Sequence, residues 1–194
     1  MSKSPAARLS MPEFISLMGM MFATVAFSLD AMLPAMTEIA QQLTPEAPNN
    51  AQLIITSFVL GMGIGTLFTG PLSDAFGRKN VIVGGAVLYI IGSVLAYLAQ
   101  SLELVLAARI LQGLGAAGPR VAALAIVRDL YAGREMARVT SFIMVVFTIV
   151  PAIAPLIGAG IIWVAGWRAI FAAFVLFVLI STGWLALRQP ETLA

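Results

Sequence analysis

The sequence predicts an all-α membrane protein built from six transmembrane helices. Three observations carry that expectation. Of its 194 residues, 60% are hydrophobic and only 10% charged, against about 25% charged in a soluble domain. Mean hydropathy is +0.99. The apolar residues also fall into six long runs parted by short polar segments, and about 20 helical residues suffice to cross a ~30 Å hydrocarbon core.

Residues 1–12, with Lys3, Arg8, serines and two prolines, lack apolar periodicity and are expected to form a short cytoplasmic tail. The first span, about 13–38, opens like a signal-peptide core at Phe14 to Leu29. It continues past Asp30 to Met36 without a small-residue cleavage site, and five further runs follow, so it reads as a helix. The turn-rich 44–50 segment, without Lys or Arg, is an outer loop. The second span, about 51–71, carries Gly61, Gly63 and Gly65 as a small-residue surface for close helix approach.

The decapeptide from Gly70 to Lys79 is expected to be a hairpin loop leading to a third span at about 80–99. A second outer loop, Gln100 to Glu103, precedes the fourth span, about 103–128. The charged stretch from Arg128 to Arg138 forms an inner loop before the fifth span, about 139–163. There Pro151 and Pro155 should bend the axis, since proline frees a backbone carbonyl. After Ala165 to Arg168 the sixth span covers about 168–187, and Trp163, Trp167 and Trp184 near span ends suit an aromatic belt.

Eight bases outside the spans fall on one face and only Arg168 on the other, which orients both termini to the cytoplasm. A pI near 9.4 does not indicate nucleic acid, because the excess is only +2 and the bases sit in short loops instead of on one patch. Without Cys or His the chain offers no disulfide, no Ser-His dyad and no imidazole metal site, and no cofactor or metal is expected. A hydrolase lacks a nucleophile and base within the spans, and a nucleotide-driven pump lacks the G-x-x-x-x-G-K-[ST] loop.

Three charges remain inside spans, where an ionisable group is costly unless it faces a partner or a wet cavity: Asp30, Arg109 and Arg120. Counted along helices at ~1.5 Å per residue, Asp30 and Arg109 lie at similar depths, ~12 and ~9 Å below the outer surface. A direct or water-bridged pair is therefore expected between the first and fourth spans. Arg109 and Arg120, eleven residues apart, return to nearly the same direction on a helix, with Gln112 and Gly113 on that face. Alternatively, Asp30 and Arg109 form a purely structural pair and Arg120 snorkels to the inner headgroups.

The decapeptide matches G-x-L-x-D-x-x-G-R-[RK] at Gly70, Leu72, Asp74, Gly77, Arg78 and Lys79. Gathering of bases in cytoplasmic loops explains Arg78 and Lys79 but not the acid or the glycines. The pattern resembles the signature between helices 2 and 3 of the major facilitator superfamily. Arg109, Gln112, Gly113 and Gly115 resemble that family's R-x-x-Q-G-x-G motif, and the segment from Ala154 to Ala159, one turn after Pro151, resembles its antiporter motif G-P-x-x-G-G at Pro155 and Gly158, with alanine at Ala154 and Ala159. The S-L-D-A-M-L-P-A-M pattern between Phe27 and Ile39, together with Ala125 to Tyr131, is similar to bicyclomycin- and chloramphenicol-type drug:proton antiporters.

The resemblance implies one six-helix half, two inverted three-helix repeats, of a twelve-helix fold. It implies proton-coupled export of small amphiphilic compounds by alternating access at an inner membrane. Asp30 and Arg109 would couple protons, and a substrate cavity would include Asp30, Arg109, Gln112, Gly113 and Arg120. An inner gate would be formed by Gly70, Asp74, Gly77, Arg78 and Lys79, with Arg78 bonding Asp129. Residues 189–194 resemble the start of the family's central cytoplasmic loop. The expected partners are substrate, protons and membrane lipid, with either a second copy of the chain or a separate C-terminal half facing the cavity and supplying a partner for Asp74. The alternative reading is a non-transporting fragment or subunit that requires such a half.

Overall fold

A computed structural model describes residues 9–193, so most of the expected N-terminal tail lies outside the described residues. Helix α1 (Met11–Asp30) ends in a 3-10 turn (Leu33–Ala35) that passes into the short α2 (Met36–Leu43). A second 3-10 turn (Pro48–Gln52) leads into α3 (Leu53–Phe76), followed by α4 (Arg78–Leu98), α5 (Leu102–Leu130), α6 (Gly133–Ala165) and α7 (Ala169–Arg188). With α1 and α2 counted as one path, six stretches are long and apolar enough to cross a membrane, and no strand occurs among the described residues.

The first span is not the continuous helix expected. Pro34 has no N–H to continue a ladder, and the Met32 amide turns to the carbonyl of Leu29 at 3.3 Å, so the helix breaks just after Asp30. The hairpin loop is also corrected: α3 runs helically through Pro71 to Phe76, and Gly77 alone separates it from α4. Gly77 takes φ +94°, a region that glycine enters without steric cost. The charged inner loop shrinks in the same way to Tyr131 and Ala132, since both neighbouring helices overrun the ~30 Å hydrocarbon core, α6 with 33 residues reaching ~50 Å.

Helix α5 lies between α3 and α4 and explains its glycine content by its neighbours. A Cβ on Gly113 would stand 2.1 Å from the Phe58 carbonyl oxygen of α3, and one on Gly115 2.4 Å from the Tyr89 amide of α4. Gly61 and Gly65 on α3 face α5 just as closely, whereas Gly63 meets nothing. Residues four apart share a helix face and residues two apart do not, so the expected three-glycine surface is a two-glycine one.

Two apolar clusters fill the bundle. Near the end that carries the loops before α3 and α5, Phe27, Met32, Trp167, Phe171 and Phe174 pack together, with Phe27 and Phe174 edge to face at 5.3 Å. Near the basic end, Phe14, Leu17, Met21, Ile126, Ile143 and Leu185 form the other. Trp163 is 89% exposed, as a belt residue should be, but Trp167 is 1% exposed. Trp167 is a core residue because its indole N–H finds Gln42 Oε1 at 2.9 Å.

Candidate functional site

Arg109 is fully buried at the junction of α1, α3 and α5. Its Nε donates to the Ile54 carbonyl at 3.2 Å, one terminal nitrogen to Gln112 Oε1 at 2.6 Å, and the other to the Ser28 carbonyl at 3.0 Å. Its guanidinium also lies 4.4 Å from the centroid of the Phe58 ring. Because Met32 has turned to Leu29, the Ser28 carbonyl is open to accept from Arg109. A cation thus caps the broken, negative end of α1 from another helix, where the helix dipole favours positive charge.

The network extends into α4. Gln112 Nε2 donates to Ser93 Oγ at 2.7 Å, Ser93 Oγ donates to the Tyr89 carbonyl at 2.8 Å, and the hydroxyls of Ser28 and Tyr89 bond each other. All these side chains are buried, and each polar group has a partner, which is what makes such a network tolerable in an apolar interior.

Asp30 is half-buried at the break, two residues beyond Ser28. No ion pair joins it to Arg109 among the described residues, so of the direct or water-bridged pair expected the direct form is not made: Arg109 spends its donors on carbonyls and Gln112. Gly158 on α6 packs against the same break. A Cβ there would stand 2.1 Å from the Ala31 carbonyl oxygen. Within the helix 5 motif, Ala154 and Gly158 are buried, Pro155 is half-buried, and Pro151 and Ala159 are exposed.

The shared face expected for Arg109 and Arg120 divides. Arg109, Gln112 and Gly113 lie inside the bundle, buried against α1, α3 and α4, while Arg120 is exposed in a separate cleft toward the basic end. A 20° difference in direction is too small to part them by itself. What differs is the surrounding packing, since α1 and α3 close over α5 at Arg109 and leave it open at Arg120.

At the basic end Arg78 gathers three groups. It pairs with Asp74, donates Nε to Asp129 Oδ2 at 3.1 Å, and reaches Ser73 Oγ at 3.1 Å. Asp74 therefore has a partner within its own chain. Gly70 lies one turn before Asp74 on α3, and Gly77 makes the turn that lets Arg78 begin α4. Lys79 contributes its backbone amide, which donates to Glu191 Oε2 at 3.0 Å, while the Arg78 amide donates to Glu191 Oε1 at 3.0 Å. Thr192 Oγ1 completes the cluster by bonding Asp129 Oδ2 at 3.0 Å.

Sequence reasoning missed Ser28, Tyr89, Ser93, Glu191 and Thr192. Tyr89 and Ser93 had a signal, being polar residues four apart in an apolar run and so on one helix face. Glu191 had none, because it meets Arg78 across 113 positions.

The chain matches the family model described as Major Facilitator Superfamily over residues 15–194. It is 36% identical over 192 residues to the chloramphenicol resistance protein of Pseudomonas aeruginosa, a match covering 98% of this chain and 46% of that protein. To the bicyclomycin resistance protein homolog of Haemophilus influenzae it is 35% identical, over 92% of this chain and 45% of the relative. Among solved structures, the proton:xylose symporter XylE superposes with a TM-score of 0.81 at 17% identity, covering 94% of this chain and 45% of that one. At such identity the likeness speaks for the fold alone. The chain spans a little under half the length of the curated relatives it matches.

Proposed function

This chain belongs to the major facilitator superfamily, a family of membrane transporters, and from that premise we propose that it contributes one six-helix half of a proton-coupled exporter of small amphiphilic compounds. The observation that carries the reading is the interrupted end of α1, where half-buried Asp30 lies two residues past a carbonyl held by the fully buried Arg109. A carboxylate at a helix break is a group that can take and release a proton at membrane depth. Pro34 and the turn of Met32 make that break, and Arg109 holds the Ser28 carbonyl it leaves open, fixing the backbone two residues before Asp30.

In this reading the cluster of Gly70, Asp74, Gly77, Arg78, Lys79 and Asp129 biases one of two alternating arrangements, with both termini at the cytoplasmic face of an inner membrane. Exposed Arg120 and half-buried Asp30 contribute to the cavity wall, while Arg109, Gln112 and Gly113 act from behind it. The helix 5 segment with Pro151, Ala154, Pro155, Gly158 and Ala159 sets the approach of α6 to the break. A second copy of the chain or a separate C-terminal half faces the cavity from the other side.

The test is a pH gradient imposed on proteoliposomes holding the purified chain, alone or with an added C-terminal half, with a radiolabelled amphiphile such as chloramphenicol followed across the membrane. Gradient-driven accumulation should be lost in Asp30→Asn. An unchanged pH profile in that variant sinks the assignment of Asp30, and no gradient-driven movement by any assembly sinks the proposed transport.

A further inference from the structure

Toward the basic end of the bundle, a cleft of about 450 Å³ opens between α1, α3 and α5. Its charged lining is Asp74, Arg78, Arg120, Arg128 and Asp129. Both acids are engaged by Arg78. Every Asp and Glu of the chain lies among the described residues, and within them neither Arg120 nor Arg128 pairs with a carboxylate.

Arg120 is the more telling of the two. It stands ten residues, or ~15 Å, inside the basic end of a 29-residue helix. Its polar contact is the Met62 sulfur at 3.8 Å, a weak acceptor. Because α5 overruns the ~30 Å core, part of the ~15 Å lies outside the hydrocarbon, and a guanidinium near the core edge still calls for an anionic or wet partner. The cleft as a whole holds three guanidinium groups against two carboxylates, one positive charge in excess, which is the complement of a monoanion. Phe22, Val121 and Leu124 supply apolar wall beside it.

We propose that this cleft binds a phosphate-class monoanion, with Arg120 and Arg128 as its ligands and the apolar wall receiving the body of an amphiphile. The planar fork of arginine suits paired phosphate oxygens. Two sources share this chemistry: the diester headgroup of an anionic phospholipid and free phosphate. Arg120 is shared with the cavity wall of the proposed transporter, so the test measures binding alone, which a failure of the transport reading would leave standing.

The experiment is native mass spectrometry of the delipidated full chain with equimolar phosphatidylglycerol and phosphatidylcholine of matched acyl chains, alongside thermal unfolding with sodium phosphate against chloride at equal ionic strength. For the lipid source, phosphatidylglycerol adducts should exceed phosphatidylcholine adducts roughly tenfold, the scale of one or two basic contacts to an anionic lipid. The preference should vanish in Arg120→Ala/Arg128→Ala and persist in Arg134→Ala, which removes an exposed base outside the cleft. For the free-anion source, phosphate should raise the melting temperature of the native chain and not of the double variant, with no lipid preference. Should the alanine variant fail to fold, Arg120→Gln/Arg128→Gln replaces it with the same expectation. The proposal is overturned if a folded double variant keeps the lipid preference, or if neither probe distinguishes it from the native chain.

Discussion

Glu191 caps the helix that Arg78 begins, its two carboxylate oxygens accepting at 3.0 Å from the amides of Arg78 and Lys79. The residue before that helix is Gly77, which has no side chain to offer, so the first free amides of α4 are satisfied by a residue from just past the last helix. A Cβ on Gly77 would stand 2.7 Å from Glu191 Oε2, so the glycine that permits the turn also leaves space for the cap.

Partial burial pushes the Glu191 carboxyl up, and the amides of Leu193, Lys79, Arg78 and Thr192 outweigh it and hold the group below its ordinary range. A carboxylate with a depressed folded pKa contributes stability that is present above its unfolded value of about 4.3 and is lost as pH falls through the folded value. Glu191→Gln should therefore cost about 1 kcal/mol at pH 7, the scale of a helix cap. Its deficit relative to the native chain should start to narrow as pH falls past the unfolded value of about 4.3 and close only once pH is below the lower folded value. Thermal unfolding in detergent across that pH range measures it, and a deficit independent of pH refutes the capping role.

Arg78 serves two acids, so a simple charge swap with Asp129 should fail in a defined way. Arg78→Glu with Asp129→Arg rebuilds that pair yet sets Asp74 against a new carboxylate. Only partial recovery of stability is expected, and the added Asp74→Asn should raise it further, short of the native level because the swap also removes the bonds to Thr192 and Ser73. Each pairwise coupling should be of order 0.5–1 kcal/mol, as for partly exposed pairs. Full recovery by the swap alone would mean that the Asp74 contact is not formed.

Arg109→Ala would leave the buried carbonyls of Ile54 and Ser28 and the Gln112 side chain short of donors. The expected cost is about 3 kcal/mol or more. Arg109→Lys keeps the charge but cannot reach three acceptors in one plane, and should recover less than half. Melting temperature and yield of monodisperse protein report both. A fully stable alanine variant would contradict the network.

Gly158→Val would force a side chain against the Ala31 carbonyl and should destabilise by about 2–3 kcal/mol while shifting the break that holds Asp30. Gly160→Ala on the same helix meets open space and should be neutral or raise stability by up to about 1 kcal/mol. Equal effects at the two positions would show that close packing at Ala31 is not the cause.

The six spans were legible because hydropathy and span length are properties of each segment alone, and membrane insertion enforces them. The bond between Arg78 and Asp129 was legible from motif resemblance and a shared leaflet. Depth counting brought Arg109 within two residues of Asp30, to the carbonyl of Ser28. It could not tell that a helix break at Pro34 would offer a backbone acceptor there, which made a carboxylate partner unnecessary. The hairpin at Gly70 to Lys79 was overdrawn because Gly and Pro punctuate soluble sequences more strongly than long membrane helices. Glu191 stayed invisible because its partners are amides, which carry no residue identity.

The hold of Arg109 on Ser28 also imposes an order on biosynthesis. The two residues are 81 positions apart, which at ~5–20 residues per second amounts to roughly 4–16 s of translation. Until Arg109 is made, neither the Ser28 carbonyl nor the Ile54 carbonyl has the donor that holds it in the folded chain. The fourth span therefore ties the first and second together before α6 and α7 complete the bundle, and a ribosome stalled before Arg109 emerges should leave a nascent chain that quality-control proteases still recognise as unfinished.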